Sequence, residues 1–535
     1  MALHEPFRRL PEVRARCPWW FYAGIYGLAG IFLGALAFRL PGPLDVDGAY
    51  YFLVARGLAR GEGWRIPALW LFFHPPETLP QAVGELWLPM PSLLLVPFLS
   101  LGSTFRNAQF GQAVLAAALP LLALRTALDQ GLRPRWAGVA ALLTFLAGTV
   151  TVHWVDTDCF TAFALLAGAS LWAAGRAVSE RRFLLLAGAL AGLAALTRND
   201  GLLLLPVIWL SEWLFSHRRG TPMPWRELGL SSILFLIPPG LWGVRNFLVF
   251  GTPSPVPLPY LALLTDYHQL FRWQPAVDWA QFLAQGWGTL AALRAEAARA
   301  ALTVVAAMFQ LWGAGPLLLS LPHLPRRVSL WPPFLYGALL FGTLVACFPL
   351  LVTHGTWSRS IAAFLPAGAA AVAAGCSDLE DWLTRRIPGR RGNRVRAVLL
   401  LGVVGMSALV GTTALREQLK AAVRHPQVWQ KVGQLLSETP SEGTVMAQDA
   451  MAVLLYTGKP AIGIPYEEPP LLLEIARRYD AQTLVLVGDL KEGLPGPLQA
   501  LYEAGEAQEP GFSSGPFLLE RKEDGIQIYR IRPGP

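Results

Sequence analysis

Four aspartates stand in two closely spaced pairs, Asp45-Val46-Asp47 and Asp156-Thr157-Asp158, each beside a long apolar stretch. A carboxylate taken unpaired into hydrocarbon costs several kcal/mol, so acids at a membrane boundary point to a polar cavity or a functional site. In a partly dry pocket a carboxylate becomes more basic and can take the proton of an acceptor hydroxyl. The same four residues could instead hold a hard divalent cation through oxygen ligands. No other cofactor is indicated. The plainest role is helix capping, worth about 1 kcal/mol, for which one Asp of each pair would suffice.

Arg198, Arg245 and Arg359 fall at the ends of apolar segments on the same predicted side as these acids. Guanidinium groups suit bidentate recognition of phosphate, and a lipid-linked phosphate would arrive at this depth. Bulk headgroup contacts or snorkelling are the alternative use of such residues. His354, Trp357 and Ser358 surround Arg359, which makes Arg359 and His354 candidates for substrate binding together with Asp156. His74, His153 and His354 share this side too and leave a three-dimensional His/Asp metal cluster open, but their spacing matches no specific metal motif, and ordinary interfacial or core roles are expected for them. The four cysteines show no paired spacing, so neither a disulfide framework nor a cysteine zinc site is indicated.

The elements that position these groups follow from composition. The chain is 53% hydrophobic and 15% charged, which with its long uncharged blocks predicts a polytopic helical membrane protein. Candidate spans run over 19–40, 106–128, 135–154, 159–178, 182–197, 200–215, 228–250, 300–321, 330–353, 360–379 and 396–415, about eleven in all. Most of the +8 charge is arginine in alternate short loops, a topology signal rather than a nucleic-acid footprint. It places residues 1–18 in the cytoplasm and the C-terminal domain outside it. Arg8, Arg9, Arg14 and Arg16 followed by Ala35-Leu36-Ala37 resemble a cleavable signal, but the apolar stretch is long for one and a retained first helix is expected.

The segment 86–101 carries Pro89, Pro91 and Pro97 and reads as an interfacial or re-entrant helix within a large first outer loop, 41–105. That choice brings both acidic pairs to one face of a membrane domain spanning 19–415. Beyond it, 416–535 alternates short strand and helix patterns, including strands over Thr444–Ala447 and Thr483–Val487. The pattern predicts a small soluble α/β domain without a Gly-rich phosphate loop.

The chain resembles the GT-C superfamily of membrane glycosyltransferases, in particular the bacterial relatives of protein O-mannosyltransferases and aminoarabinose transferases. The resemblance rests on Asp45-Val46-Asp47-Gly48-Ala49-Tyr50-Tyr51, Leu88-Pro89-Met90-Pro91, Thr157-Asp158, Leu196-Thr197-Arg198-Asn199-Asp200-Gly201-Leu202 and Val244-Arg245-Asn246-Phe247 through Pro253. It implies sugar transfer from a polyprenyl-phosphate donor to a lipid, glycan or protein hydroxyl at the outer face of the cell membrane, with inversion. It assigns the base to Asp45 or Asp47 and a second acidic position to Asp158. Two other classes stay open: a lipid or solute transporter using the outer acids as a binding site, and a non-catalytic envelope assembly protein. Neither broken paired spans nor internal duplication favours the transporter.

Overall fold

The computed structural model describes residues 17–387, 389–439 and 443–532. Arg8, Arg9, Arg14 and Arg16, which assign the N-terminus to the cytoplasm, lie outside them. The chain divides into two compact units, one formed by 1–39, 109–242 and 294–420, the other by 40–108, 243–293 and 421–535.

Among the described residues seven helices are long and apolar enough to cross a membrane, or eight if the bent pair Pro134–Phe145 and Gly148–Val155 forms one span. The count is below the eleven apolar stretches because backbone breaks cut several of them. Phe183–Ala195 has 13 residues and reaches only about 20 Å. The stretch from 200 begins as a 3₁₀ turn, Asn199–Leu203, before the helix Leu204–Arg219. The stretch 300–321 is interrupted where Gln310 and Leu311 take positive φ, ending Gly286–Met308 and leaving Ala314–Ser320 as a short helix.

In the first unit the small-residue run Ala367–Gly375 of helix Leu365–Arg386 is buried throughout. Small side chains let helix backbones approach closely in the absence of a hydrophobic driving force. Gly375 illustrates this: a Cβ there would run into the Pro316 carbonyl. Toward the basic end of this helix, Glu380 is fully buried and gathers Arg133 at 2.8 Å, Trp136 Nε1 at 2.7 Å, Arg396 at 3.4 Å and Arg135. A buried carboxylate needs this many donors to offset its lost hydration.

The second unit is built on a seven-stranded sheet. Its order is Ala68–Leu69, Ala461–Gly463, Thr444–Ala447, Ala481–Val487, Ile526–Ile531, Phe517–Glu523, Ser513–Ser514. The first four strands are parallel and the last three antiparallel additions. The edge strand Ala68–Leu69 comes from loop 41–105, and Leu69 and Phe72 enter the same core as Met446, Ile462, Leu484 and Tyr529. The segment 251–293 joins through backbone bonds: Tyr466 N donates to Phe271 O at 2.9 Å and Gln274 N to Phe72 O at 2.8 Å.

The proline-rich segment forms a helix, Met90–Leu99, of 10 residues, about 15 Å long and too short to cross a bilayer. It packs on helix Val46–Ala59, with Ser92 Oγ donating to Tyr51 O at 3.0 Å.

Candidate functional site

In the first unit the acidic pair sits at a break in the chain's helical path. Helix Pro134–Phe145 ends, and the 3₁₀ helix Gly148–Val155 leaves at 70°. Gly148 makes the turn with φ +52°, and a Cβ there would run into the Ala307 carbonyl, so only glycine fits. Such a break frees backbone carbonyls that must be satisfied inside a membrane domain. Gln310 Nε2 donates to Leu146 O at 2.6 Å, and Gln418 Nε2 donates to Gly148 O.

The 3₁₀ segment delivers His153, Asp156 and Asp158 to one place. Each offers one ligand atom, and these atoms lie within 4.8 Å of one another. Asp156 and Asp158 are fully buried. Asp158 Oδ1 accepts from Phe160 N at 2.8 Å, at the start of helix Phe160–Ala177, and Gln112 Nε2 donates to the Asp158 carbonyl at 3.3 Å. The other oxygen, Oδ2, has His153 Nδ1 at 3.3 Å and Arg359 Nε at 3.9 Å. His153 is held flat against Phe160, ring centroids 4.8 Å apart. Of the three histidines open to a His/Asp cluster, the tight pitch of the 3₁₀ turn brings His153 to the pair.

Arg359 lies in the last turn of the short helix Thr356–Ile361, and Gly355, with φ +91°, leaves room beside its guanidinium. Arg198 lies close by: it donates to Asp200 Oδ2 at 2.9 Å, Ser360 Oγ at 3.2 Å and Cys159 Sγ at 3.5 Å. Ser360 also donates to Asp200. Asp200 therefore orients an arginine and a serine, and Arg198 is tied into the wall beside Arg359. His354 is exposed and turned to its own helix end, with Nδ1 2.7 Å from Leu350 O and 3.1 Å from Thr353 Oγ1. Trp357 is buried, its indole donating to Ala301 O at 2.9 Å.

The second unit holds Asp45, Asp47 and Arg245. Asp45 is the N-cap of helix Val46–Ala59, accepting from Gly48 N at 3.0 Å. Asp47, inside the first turn, accepts from Trp87 Nε1 at 3.0 Å. The Trp87 ring lies over Tyr50, centroids 4.3 Å apart, and the Tyr50 hydroxyl accepts from Gly84 N at 3.1 Å. Burial pushes the Tyr50 phenol well above its ordinary range, with Arg245 and Glu85 also within electrostatic reach. Glu85 accepts from His74 N at 2.6 Å. Arg245 stands 5.5 Å over the Phe250 ring. Trp87, which spacing did not single out, reaches Asp47 through the folded loop, and Tyr50 lies against its ring.

The structure is similar to ArnT from Cupriavidus metallidurans in the apo state, with TM-score 0.59 and 12% identity, over 97% of this chain and 99% of that one. The fold is that of the GT-C membrane glycosyltransferases. ArnT bound to undecaprenyl phosphate gives TM-score 0.57 at 12% identity over 95% and 98% of the two chains. Archaeal oligosaccharyltransferase AglB from Archaeoglobus fulgidus, in complex with an inhibitory peptide and a dolichol-phosphate, gives 0.51 at 12% identity over 90% and 72%. No protein-family model and no curated protein sequence matches the chain. The GT-C likeness to ArnT runs through the C-terminal sheet as well as the helices, and with its apolar helices the chain is a multi-pass membrane protein.

Proposed function

We propose that this protein is an integral-membrane glycosyltransferase that moves a sugar from a polyprenyl-phosphate donor to an acceptor hydroxyl at the extracytoplasmic face, with inversion. The observation that carries the reading is the environment of Asp158, a fully buried carboxylate facing an imidazole and a guanidinium at 3.3 and 3.9 Å. Supporting it, the solved GT-C relatives include one bound to undecaprenyl phosphate and one to a dolichol-phosphate. The acceptor belongs to the class of lipid, glycan or protein hydroxyls.

In this reading Asp47 is the base. Asp45 Oδ1 is committed to the helix cap, whereas Asp47 Oδ1 is oriented by the Trp87 indole N–H. The acceptor oxygen attacks the anomeric carbon as its proton passes to Asp47. The bond from that carbon to the phosphate oxygen breaks, and polyprenyl phosphate leaves with the electron pair. Arg359 holds the donor phosphate, Arg198 keeps the Arg359 wall in place, and Arg245 adds positive charge on the Asp47 side. His354 would reach substrate only by leaving its helix-end bonds. His153, Asp156 and Asp158 fit a divalent cation by their mix of one imidazole and two carboxylates, and such an ion would neutralise charge on the departing phosphate.

The test is purified protein incubated with a panel of polyprenyl-phosphate sugars, following sugar release. Release that depends on Asp47 and Asp158 is expected; no release from any donor, with the protein folded, rejects the reading. The broken span at Gly148 is a feature that a transporter would also use. Sugar-lipid movement across vesicles without release would favour that alternative.

A further inference from the structure

The C-terminal segment ends its helical approach at a contact that the transfer chemistry does not itself use. His425, in the first turn of the helix Arg424–Glu438, places Nε2 3.1 Å from Asp449 Oδ2. Asp449 is 4% exposed, and its other oxygen accepts from Ala452 N at 2.8 Å, capping the helix Ala450–Thr457. The same imidazole lies within electrostatic reach of Asp45 and of the Pro43 carbonyl. His425 is thus bonded to one helix cap, Asp449, with a second, Asp45, in the field of its ring. The approach is close because Gly42 has no side chain. A Cβ there would meet the Tyr456 hydroxyl and the Pro426 ring.

We propose that His425 and Asp449 are positioning residues for Asp47, holding the capped first turn of helix Val46–Ala59 so that this carboxylate keeps its catalytic direction. The proposal rests on the reading of Asp47 as the base. Asp47 is two residues past the cap, so any loosening of that turn rotates it directly. Nine of the helix's fourteen residues are buried, and the helix packs against Ala450–Thr457, the helix that Asp449 caps. A displacement of about 1 Å in a reacting group can cost roughly a hundredfold in rate, so a modest loss of grip suffices. The interaction needs only an N–H aimed at Asp449. It would therefore operate in any state in which Nε2 carries hydrogen.

The experiment uses full-length protein in lipid nanodiscs, comparing wild type with His425→Ala, His425→Gln and Asp449→Asn. Two readouts are taken: amide hydrogen exchange in residues 45–59, and kcat and KM for sugar release. In His425→Ala, exchange in 45–59 should quicken by about tenfold while the strand Ala481–Val487 stays protected. In the same variant kcat should fall by roughly tenfold or more with KM for the donor within about twofold, the signature of a misaligned base. Glutamine keeps an N–H donor and should restore most of the rate. Asp449→Asn retains a capping oxygen, so it should fold even where alanine at 425 does not, and should show the same kcat loss. Unchanged exchange in 45–59 overturns the clamp, as does a lowered melting temperature with kcat of the folded fraction intact. A wild type inactive on every donor overturns the transferase reading instead, and the exchange arm then judges the clamp alone.

Discussion

The two acidic pairs have the same spacing and opposite local solutions. In the first, the leading residue Asp45 caps the next helix and Asp47 stands inside the first turn beside an indole N–H. In the second, the trailing residue Asp158 is bonded to the helix start at Phe160 N and still presents a second oxygen to His153 and Arg359. What differs is the element that precedes each pair. An extended loop leads into Asp45, whereas a 3₁₀ turn leads into Asp156 and winds His153 onto the same side. The same two carboxylates can therefore be set for proton transfer in one place and for cation or phosphate charge in another, by backbone alone.

The comparison breaks most readily at the acids themselves. Asp47→Asn should lower kcat by about 10² to 10⁴ with the donor KM little changed, as expected for loss of a general base. Asp158→Asn should give a loss of at least comparable size accompanied by weaker donor binding. Equal kinetic signatures for the two variants would remove the division of labour. Arg359→Ala should raise KM for a polyprenyl-phosphate sugar by about 10- to 100-fold, while Arg359→Lys recovers part of it, because a point charge lacks the forked geometry. His153→Ala should raise the divalent cation concentration needed for half-maximal release by roughly 10- to 100-fold and leave Asp47-dependent proton transfer unaffected. A chelator without effect on wild type would take the cation out of the second pair.

The smallest effect concerns pH and the first pair's surroundings. Burial pulls the His425 imidazolium down, but the hydrogen bond and charge of Asp449, with Asp45 and the Pro43 carbonyl, together lift it above its ordinary value. A raised folded value means that the cation stabilises the native state. That contribution is complete below the unfolded value near 6.5 and is lost as pH climbs through the higher folded one. Thermal stability of the wild type should therefore decline across this window. His425→Gln should flatten that part of the profile, and a profile identical to wild type would assign the dependence elsewhere.

Much of the fold was legible because it is periodic. Apolar runs marked the long helices, and the strand pattern marked Thr444–Ala447 to the residue. The missed features are those whose cause is tertiary. A hydropathy run does not register the break at Gly148, since the residues on both sides are equally apolar. Ala68–Leu69 is two residues long and follows Pro67, too short for any pattern, yet a parallel partner at Ala461–Ile462 makes it a strand. The candidate acids were visible as unusual charges beside apolar stretches. Their partners were not, because Arg359 lies two hundred residues from Asp158 and Trp87 forty from Asp47.

The sheet-bearing unit draws on three separated stretches of chain, and its edge strand at Ala68–Leu69 waits for a neighbour near the far end of the sequence. At ordinary elongation rates that neighbour emerges from the ribosome some tens of seconds later. Until then the early loop carries an open strand edge and an apolar Leu69 and Phe72 uncovered, a window in which a chaperone or a protease can act. A nonsense change anywhere before residue 461 would leave that window permanently open, so truncated products should be cleared rather than accumulate as partly active enzyme.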